Sequence, residues 1–358
     1  MRKREGELLF TELLRSALWG ETISIPALRD EQYKEVMIIA RKQRMEAIIG
    51  EVLIRQQVRL GRRQVAHLLG IVKATERENS RMNRLLTVFT EDLCRHGIRY
   101  YVVKGQVVGT YYPSPLMRAP GDIDIFLSDG SYAAAMVLAE KEGMTVCEGN
   151  ERGKHKVMIS EGVVFELHRR LLLPATLRHR REWLSFVREL QQHGENVMID
   201  NCCVCTLPVA YHLVYVFMHL FFHLITGGVG MRQLCDMAVL LKRGDEENID
   251  WQMVVGKVAA LGCLKAFRAV VACCVVRLGL PIALPVGLRD SDSRWGERVY
   301  HRMMSGGNFG CWRRRVRSYG WLHRLETGWM VLGNVLRFWW LAPKESLLRI
   351  ALPLRGNG

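Results

Sequence analysis

The sequence predicts an α+β fold in which a mixed-sheet core is flanked by N-terminal and C-terminal helical blocks, and three observations predict it. Between residues 7 and 96 the apolar positions return every three or four residues, as in Leu8, Leu9, Leu13 and Leu14 and again in Leu85, Leu86 and Phe89, the period of an amphipathic helix. From residue 98 to about 167 the pattern shortens to the apolar runs and alternations of strands. After Pro208 the helical period returns. These changes of period set the expected organisation: a helical region over 1–97, an α/β core over 98–207 and a second helical region over 208–358.

Each element follows from local signals. Gly97 supplies the left-handed residue that ends the last helix of the first block. Residues 98–103 read as a buried strand, 105–112 as a short helix and 122–127 as a second strand. Ser128-Asp129 or Ser131 caps a helix that runs to Glu142 and stops at Gly143. Segments 144–147 and 155–159 are expected to pair, and 163–167 closes the mixed region. The second block reads as helices over 209–225, 230–241, 251–261, 264–278 and 292–304. The two most apolar windows, 209–225 and 329–341, fall short of the roughly 20 residues of a spanning helix. They also hold three histidines and Arg337, so neither is expected to cross a membrane.

The chain of 358 residues is 49% hydrophobic and 24% charged, enough apolar material for a sizeable core and too much for a disordered chain. Lysine and arginine outnumber aspartate and glutamate by 51 to 36, and the net charge of +15 favours an anionic partner such as a nucleotide, a nucleic acid or a membrane surface. Ten cysteines lie mostly in apolar runs without two Cys-x-x-Cys pairs to match each other and read as reduced, buried, small hydrophobes. The basic start leads into a stretch carrying Glu12 and Arg15 rather than a clean apolar signal, so a cytoplasmic location is expected.

The chemistry is read from carboxylates. In Gly121-Asp122-Ile123-Asp124-Ile125-Phe126, the two-residue period of a strand turns Asp122 and Asp124 to one face and the isoleucines to the other. Two convergent carboxylates suit Mg²⁺, an oxygen-seeking ion usually held by one or two acids plus substrate phosphates. Val163-Val164-Phe165-Glu166-Leu167-His168 repeats the design, with Glu166 and His168 on one side. Were the two strands neighbours, three acids would share a face, and two bound ions would offset their repulsion and clamp the oxygens of an in-line displacement at phosphorus. Lys104-Gly105-Gln106 lies between a strand end and a helix start, where backbone N–H groups favour phosphate and Lys104 adds a mobile positive charge.

The succession Val103-Lys104-Gly105, Tyr111-Tyr112-Pro113, Arg118-Ala119-Pro120-Gly121-Asp122-Ile123-Asp124 and Phe165-Glu166-Leu167-His168 resembles the uncharacterised bacterial nucleotidyltransferase family of the polymerase-β-like nucleotidyltransferase superfamily. Gly230-Met231-Arg232-Gln233-Leu234-Cys235-Asp236 and Gly306-Gly307-Asn308-Phe309-Gly310 resemble that family's C-terminal half, and the likeness spans about residues 30 to 345. The resemblance implies a nucleotidyltransferase-type core. It further implies that Asp122, Asp124 and Glu166 ligate two Mg²⁺ ions and act in catalysis, with Lys104 and Gly105 in the nucleotide-phosphate loop. Better-known superfamily members open that loop with glycine-serine, where this chain has Gly105-Gln106.

The expected activity is transfer of a nucleoside monophosphate from a nucleoside triphosphate to a hydroxyl or amine, in a protein, an RNA or a small molecule, with release of pyrophosphate. Arg118 is the basic residue expected first at a phosphate or the acceptor. Two alternatives stay open: a nucleotidyltransferase-fold binding module for RNA or protein, and a glycosyltransferase using Asp-x-Asp for its metal. His212, His219 and His223 share one helix face and either line the cleft under the acids or bond within the core; as a zinc site they lack the zincin glutamate. Arg232 and Asp236, four apart, suit an intrahelical pair. The run Trp312-Arg313-Arg314-Arg315-Val316-Arg317, interleaved downstream with Trp321, Trp329, Trp339 and Trp340, either packs its rings on the protein or meets bases or a lipid interface peripherally.

Overall fold

The computed structural model describes residues 2–147, 155–171, 174–288, 293–307 and 321–346. Four helices open the chain: α1 (Arg2–Trp19), α2 (Asp30–Gln43), α3 (Glu46–Arg55) and the 34-residue α4 (Arg62–Arg95). The mixed region then runs β1 (Tyr100–Val103), α5 (Gly105–Gly109), β2 (Ile123–Leu127), α6 (Asp129–Lys141), β3 (Thr145–Cys147), β4 (His155–Ser160), β5 (Val163–His168), α7 (Leu177–Leu190), β6 (Glu195–Ile199) and β7 (Cys202–Thr206). Six helices follow: α8 (Val209–Thr226), α9 (Met231–Glu246), α10 (Trp251–Ala260), α11 (Leu264–Leu278), α12 (Ser293–Gly306) and α13 (Trp321–Phe338). The α+β architecture is therefore the one expected.

The strands form one seven-stranded mixed sheet in the order β3-β4-β5-β2-β1-β7-β6. β2 lies antiparallel to β1 and parallel to β5, so the centre of the sheet is made by the two motif-bearing strands and the strand before them. The β4–β5 hairpin closes through Glu161 and Gly162, both at positive φ (47° and 78°), the backbone that a two-residue turn between twisted strands requires. Three local differences from expectation matter. β2 starts at Ile123, so Asp122 sits just before the strand; α5 ends at Gly109; and β5 extends to include His168. The α7 helix and the β6–β7 hairpin were not anticipated: α7 does carry a helical period, in His179, Trp183, Phe186 and Leu190 behind the Thr176 cap, whereas β6 is an edge strand whose Glu195, Asn196 and Met198 are exposed and only Ile199 is buried.

The sheet is covered on both faces. Val102, Ile123, Ile125, Phe165 and Leu167 pack under α4 and α6, against Leu86, Phe89 and Leu138. Tyr101, Val103 and Phe126 point the other way and join a core shared with Trp183, Phe186, Leu213 and Phe217. Each fully buried phenylalanine there contributes roughly 1.5–3 kcal/mol relative to exposure. The first and last helical regions meet in this same core: Thr11 Oγ1 and Tyr300 Oη are 3.0 Å apart, and Gln43 donates to Met303 O while accepting from Met231 N. Helix α8 is long and apolar enough to match a membrane span among the described residues, yet 78% of that stretch is buried inside the protein, the position of a core helix.

Eight described cysteines are free thiols. Cys235, Cys263, Cys273 and Cys274 are buried as expected, whereas Cys94 and Cys203 are exposed because they lie on outward positions of α4 and β7. Trp339 and Trp340 stack on each other and Trp340 packs edge-on against Trp295, while Trp329 is exposed. The arginine run 312–317 and Asn308-Phe309-Gly310 lie outside the described residues.

Candidate active site

Register brings the motif residues together. Val103 pairs with Asp124, and Asp124 pairs with Glu166, so these three positions sit side by side across β1, β2 and β5 and share one sheet face. Two residues along, Phe126 pairs with His168 on that same face. The face looks toward α8, whose residues His212, Tyr215 and His219 lie above it, two of them in contact with Lys104.

Asp124 is the hub and is only 2% exposed. Its Oδ1 lies 2.8 Å from Lys104 Nζ and 2.8 Å from His168 Nε2, and His168 Nε2 lies 3.3 Å from Glu166 Oε2. Burial works against its charge, but Lys104 and the His168 hydrogen bond outweigh it and hold the carboxyl well below the usual range. Asp122 behaves oppositely: burial and the neighbouring Asp124 and Glu166 charges push it up, against the pull of Lys104. Lys104 keeps its proton despite burial because Asp124, Tyr215 and Asp122 surround it. His168 likewise has burial against its charged form and the bonds to Asp124 and Glu166 in favour, with a net rise.

The β1–α5 joint is shaped for this contact. Lys104 adopts φ 58° and ψ −141°, a backbone that a lysine rarely takes and that costs on the order of 1–3 kcal/mol. Its N–H donates to His212 Nε2 at 2.9 Å, and His212, fully buried, is held neutral with its pKa depressed to about 3 by burial. Lys104 Nζ is also 3.3 Å from His219 Nε2, which in turn lies 3.2 Å from His223 Nε2. His219 is kept neutral by burial and by the Lys104 charge, so its nitrogen serves as the acceptor for the ammonium. Gly105 sits at φ 36°, and a Cβ there would stand 3.3 Å from the carbonyl oxygen of Asp122. Its lack of a side chain thus lets the loop before β2 close over α5.

Arg118 is placed elsewhere than at the acids. Its Nε and Nη2 donate to the two oxygens of Asp236 at 2.8 and 2.9 Å, and Tyr112 Oη donates to the same carboxylate at 2.8 Å, all three residues being buried. Burial opposes ionisation of Asp236, but the Arg118 charge and its hydrogen bonds lower the pKa overall. Arg232, one turn before Asp236, donates to the carbonyls of Ala119 and Pro120, the residues that lead into Gly121 and Asp122. These arginines brace the loop that carries Asp122.

A metal ion fits the cluster by donor chemistry. Asp124, Glu166 and His168 each offer one ligand atom, and the three atoms lie within 4.8 Å of one another; among the described residues no other three such side chains converge so closely. Asp122, within electrostatic reach of Asp124 and Glu166, is not one of the three. Sequence reasoning placed Glu166 and His168 on one face but assigned a role only to the acid; the Glu-x-His alternation was the available signal for the imidazole. His212 and His219 were recognised as a face, and their contact with Lys104 follows only from the tertiary structure.

Residues 29–279, well over half of the chain, match the family described as uncharacterised nucleotidyltransferase, and the chain belongs to that family. A crystal structure titled an antigenic nucleotidyltransferase-like protein from Paracoccidioides brasiliensis is similar over 56% of this chain and 94% of that one, with 11% identity and a TM-score of 0.35. No curated protein matches the chain.

Proposed function

As a member of this nucleotidyltransferase family, the chain, we propose, transfers a nucleoside monophosphate from a nucleoside triphosphate to a hydroxyl or amine with release of pyrophosphate, in the manner of the polymerase-β-like superfamily. The observation that carries this reading is the register that sets Asp124 beside Glu166, with Asp122 one step before the strand and Lys104 Nζ on the shared carboxylate. Divalent cations, Mg²⁺ with the triphosphate and a second ion at the strand acids, supply charge neutralisation for the phosphoryl oxygens. Asp122 and Asp124 hold the metal-nucleotide. Lys104 brings a permanent positive charge to the same point, kept protonated by its carboxylate neighbours. Glu166 accepts the proton of the attacking hydroxyl or amine, and His168 steadies both Asp124 and Glu166 through Nε2. Most of the acceleration comes from positioning and charge, as phosphoryl-type transfer requires. Cytoplasmic residence, with its nucleoside triphosphate supply, agrees with free cysteines and is part of the same proposal.

The test incubates the protein with each α-labelled triphosphate, Mg²⁺ and cell extract. Label in one acceptor, with pyrophosphate released in equal amount, supports the reading. Transfer of γ-label, or of sugar from a labelled nucleotide-sugar, contradicts it. Nucleic-acid or protein binding that survives chelator and Asp122→Ala, without label transfer, makes the chain a binding module instead.

A further inference from the structure

We propose that Asp124, Glu166 and His168 form a mixed nitrogen-oxygen site for a divalent first-row transition ion of the Mn²⁺ class, which the chain holds before nucleotide arrives and takes in preference to Mg²⁺. This deepens the nucleotidyltransferase reading by naming the ion that the protein itself carries.

The spacing is that of ligands to one ion. Donors about 2.1 Å from a cation and at right angles to each other stand about 3 Å apart. Asp124 Oδ1 and His168 Nε2 are 2.8 Å apart, His168 Nε2 and Glu166 Oε2 are 3.3 Å apart, and all three donor atoms lie within 4.8 Å of one another, close enough for one ion to draw them together. All three residues stand on adjacent strands in fixed register, Asp124 with Glu166 and Phe126 with His168, so the arrangement does not wait for a loop to order. The donor set decides the ion. Mg²⁺ takes oxygen ligands and gives up its waters reluctantly, whereas an imidazole nitrogen suits first-row transition ions and raises their affinity over Mg²⁺. Binding releases to solvent the proton that His168 Nε2 donates to Asp124 and Glu166, and the ion takes over Oδ1 from Lys104, whose Nζ has a second acceptor in His219 Nε2 at 3.3 Å. Asp122, not one of the three, remains for the ion that travels with the triphosphate.

The experiment titrates the full chain with Mn²⁺ alone and with Mg²⁺ alone by calorimetry, then records pulsed electron paramagnetic resonance of the Mn²⁺ form. One Mn²⁺ per chain is expected, bound at least tenfold more tightly than Mg²⁺, with modulation from a directly bound histidine ¹⁴N. The modulation should vanish in His168→Gln and persist in His219→Gln and His223→Gln. ¹⁵N-histidine labelling of the unmutated chain should replace the ¹⁴N pattern, which tests imidazole ligation even where a variant fails to fold. Equal affinity for the two ions, Mn²⁺ bound without the histidine signal, or a signal that survives His168→Gln would overturn the site. Label transfer from α-labelled triphosphate separates the two proposals. Transfer without imidazole ligation leaves the activity and removes this inference; imidazole ligation without transfer of any label keeps the site and removes the activity.

Discussion

Two ionic groups are buried between the sheet and the C-terminal helices, and they are built on opposite rules. Around Asp236, one carboxylate meets the Arg118 guanidinium in a two-bond fork and the Tyr112 phenol, with the Arg232 charge nearby, so each oxygen of the acid is satisfied and its charge is countered. Around Asp124, a single oxygen is shared by Lys104 and His168, while Asp122 and Glu166 bring two more carboxylates within electrostatic reach. The difference shows in the acids themselves. Asp236 and Asp124 are both stabilised as anions, but Asp122 is pushed the other way by its neighbours. A carboxylate whose two oxygens are both taken by fixed donors holds a fold together, whereas a cluster of acids and an imidazole held in place by the fold offers donor atoms to a cation.

The largest effect that would break this contrast is on stability at the balanced pair. Asp236→Asn leaves the buried Arg118 guanidinium without its counter-charge, and the unfolding free energy from chemical denaturation should drop by about 3–5 kcal/mol. A drop below about 1 kcal/mol would mean that the pair is not structural. At the other cluster the principal loss should fall on turnover. Glu166→Gln keeps shape and removes the proton acceptor, so Mg²⁺-triphosphate affinity by calorimetry should stay within about a few-fold while transfer falls roughly a hundredfold. Equal loss of both would make Glu166 a nucleotide-metal ligand alone.

Acidification sharpens the comparison at the histidine above Lys104. With its folded pKa near 3 against 6.5 unfolded, neutral His212 contributes stability that is fully present above pH 6.5 and is lost as the pH falls toward 3. The slope approaches about 1.4 kcal/mol per pH unit and should flatten in His212→Gln; an unchanged slope would place the acid sensitivity elsewhere. The smallest effect is expected at Asp122, whose ionised form is disfavoured by burial and by its acidic neighbours. Asp122→Asn should leave thermal stability unchanged or raise it by less than about 1 kcal/mol, and a clear loss would show that Asp122 has a structural partner after all.

The legible part of the site was the part governed by period. Asp124 and Glu166 fall on one face because each strand alternates, and the sheet then places the strands side by side with those residues in register. Asp122 was read as part of the same strand, but the chain enters the sheet one residue later, so its position depends on the loop braced by Arg232 rather than on the pleat. Arg118 was beyond reach for a different reason. Its partner Asp236 lies more than a hundred residues away on α9, and nothing in the loop around Arg118 distinguishes a guanidinium destined for a phosphate from one destined for a buried acid. The β6–β7 hairpin escaped because an exposed edge strand has no alternation to read. The helical regions were recognised by their period, while their meeting in one core through Gln43 and Thr11 depends on packing that no local pattern encodes.

Nucleotide transfer at the Asp124 cluster is tested by pyrophosphate release and acceptor labelling from α-labelled triphosphate, measured side by side for the unmodified chain and Asp124→Asn. Asp124→Asn removes the hub that Lys104 and His168 share, and circular dichroism of the variant checks that the sheet is retained. Labelled acceptor and equimolar pyrophosphate are expected from the unmodified chain, with a loss of at least about a hundredfold from the variant. Undiminished labelling by folded Asp124→Asn would contradict transfer at this cluster.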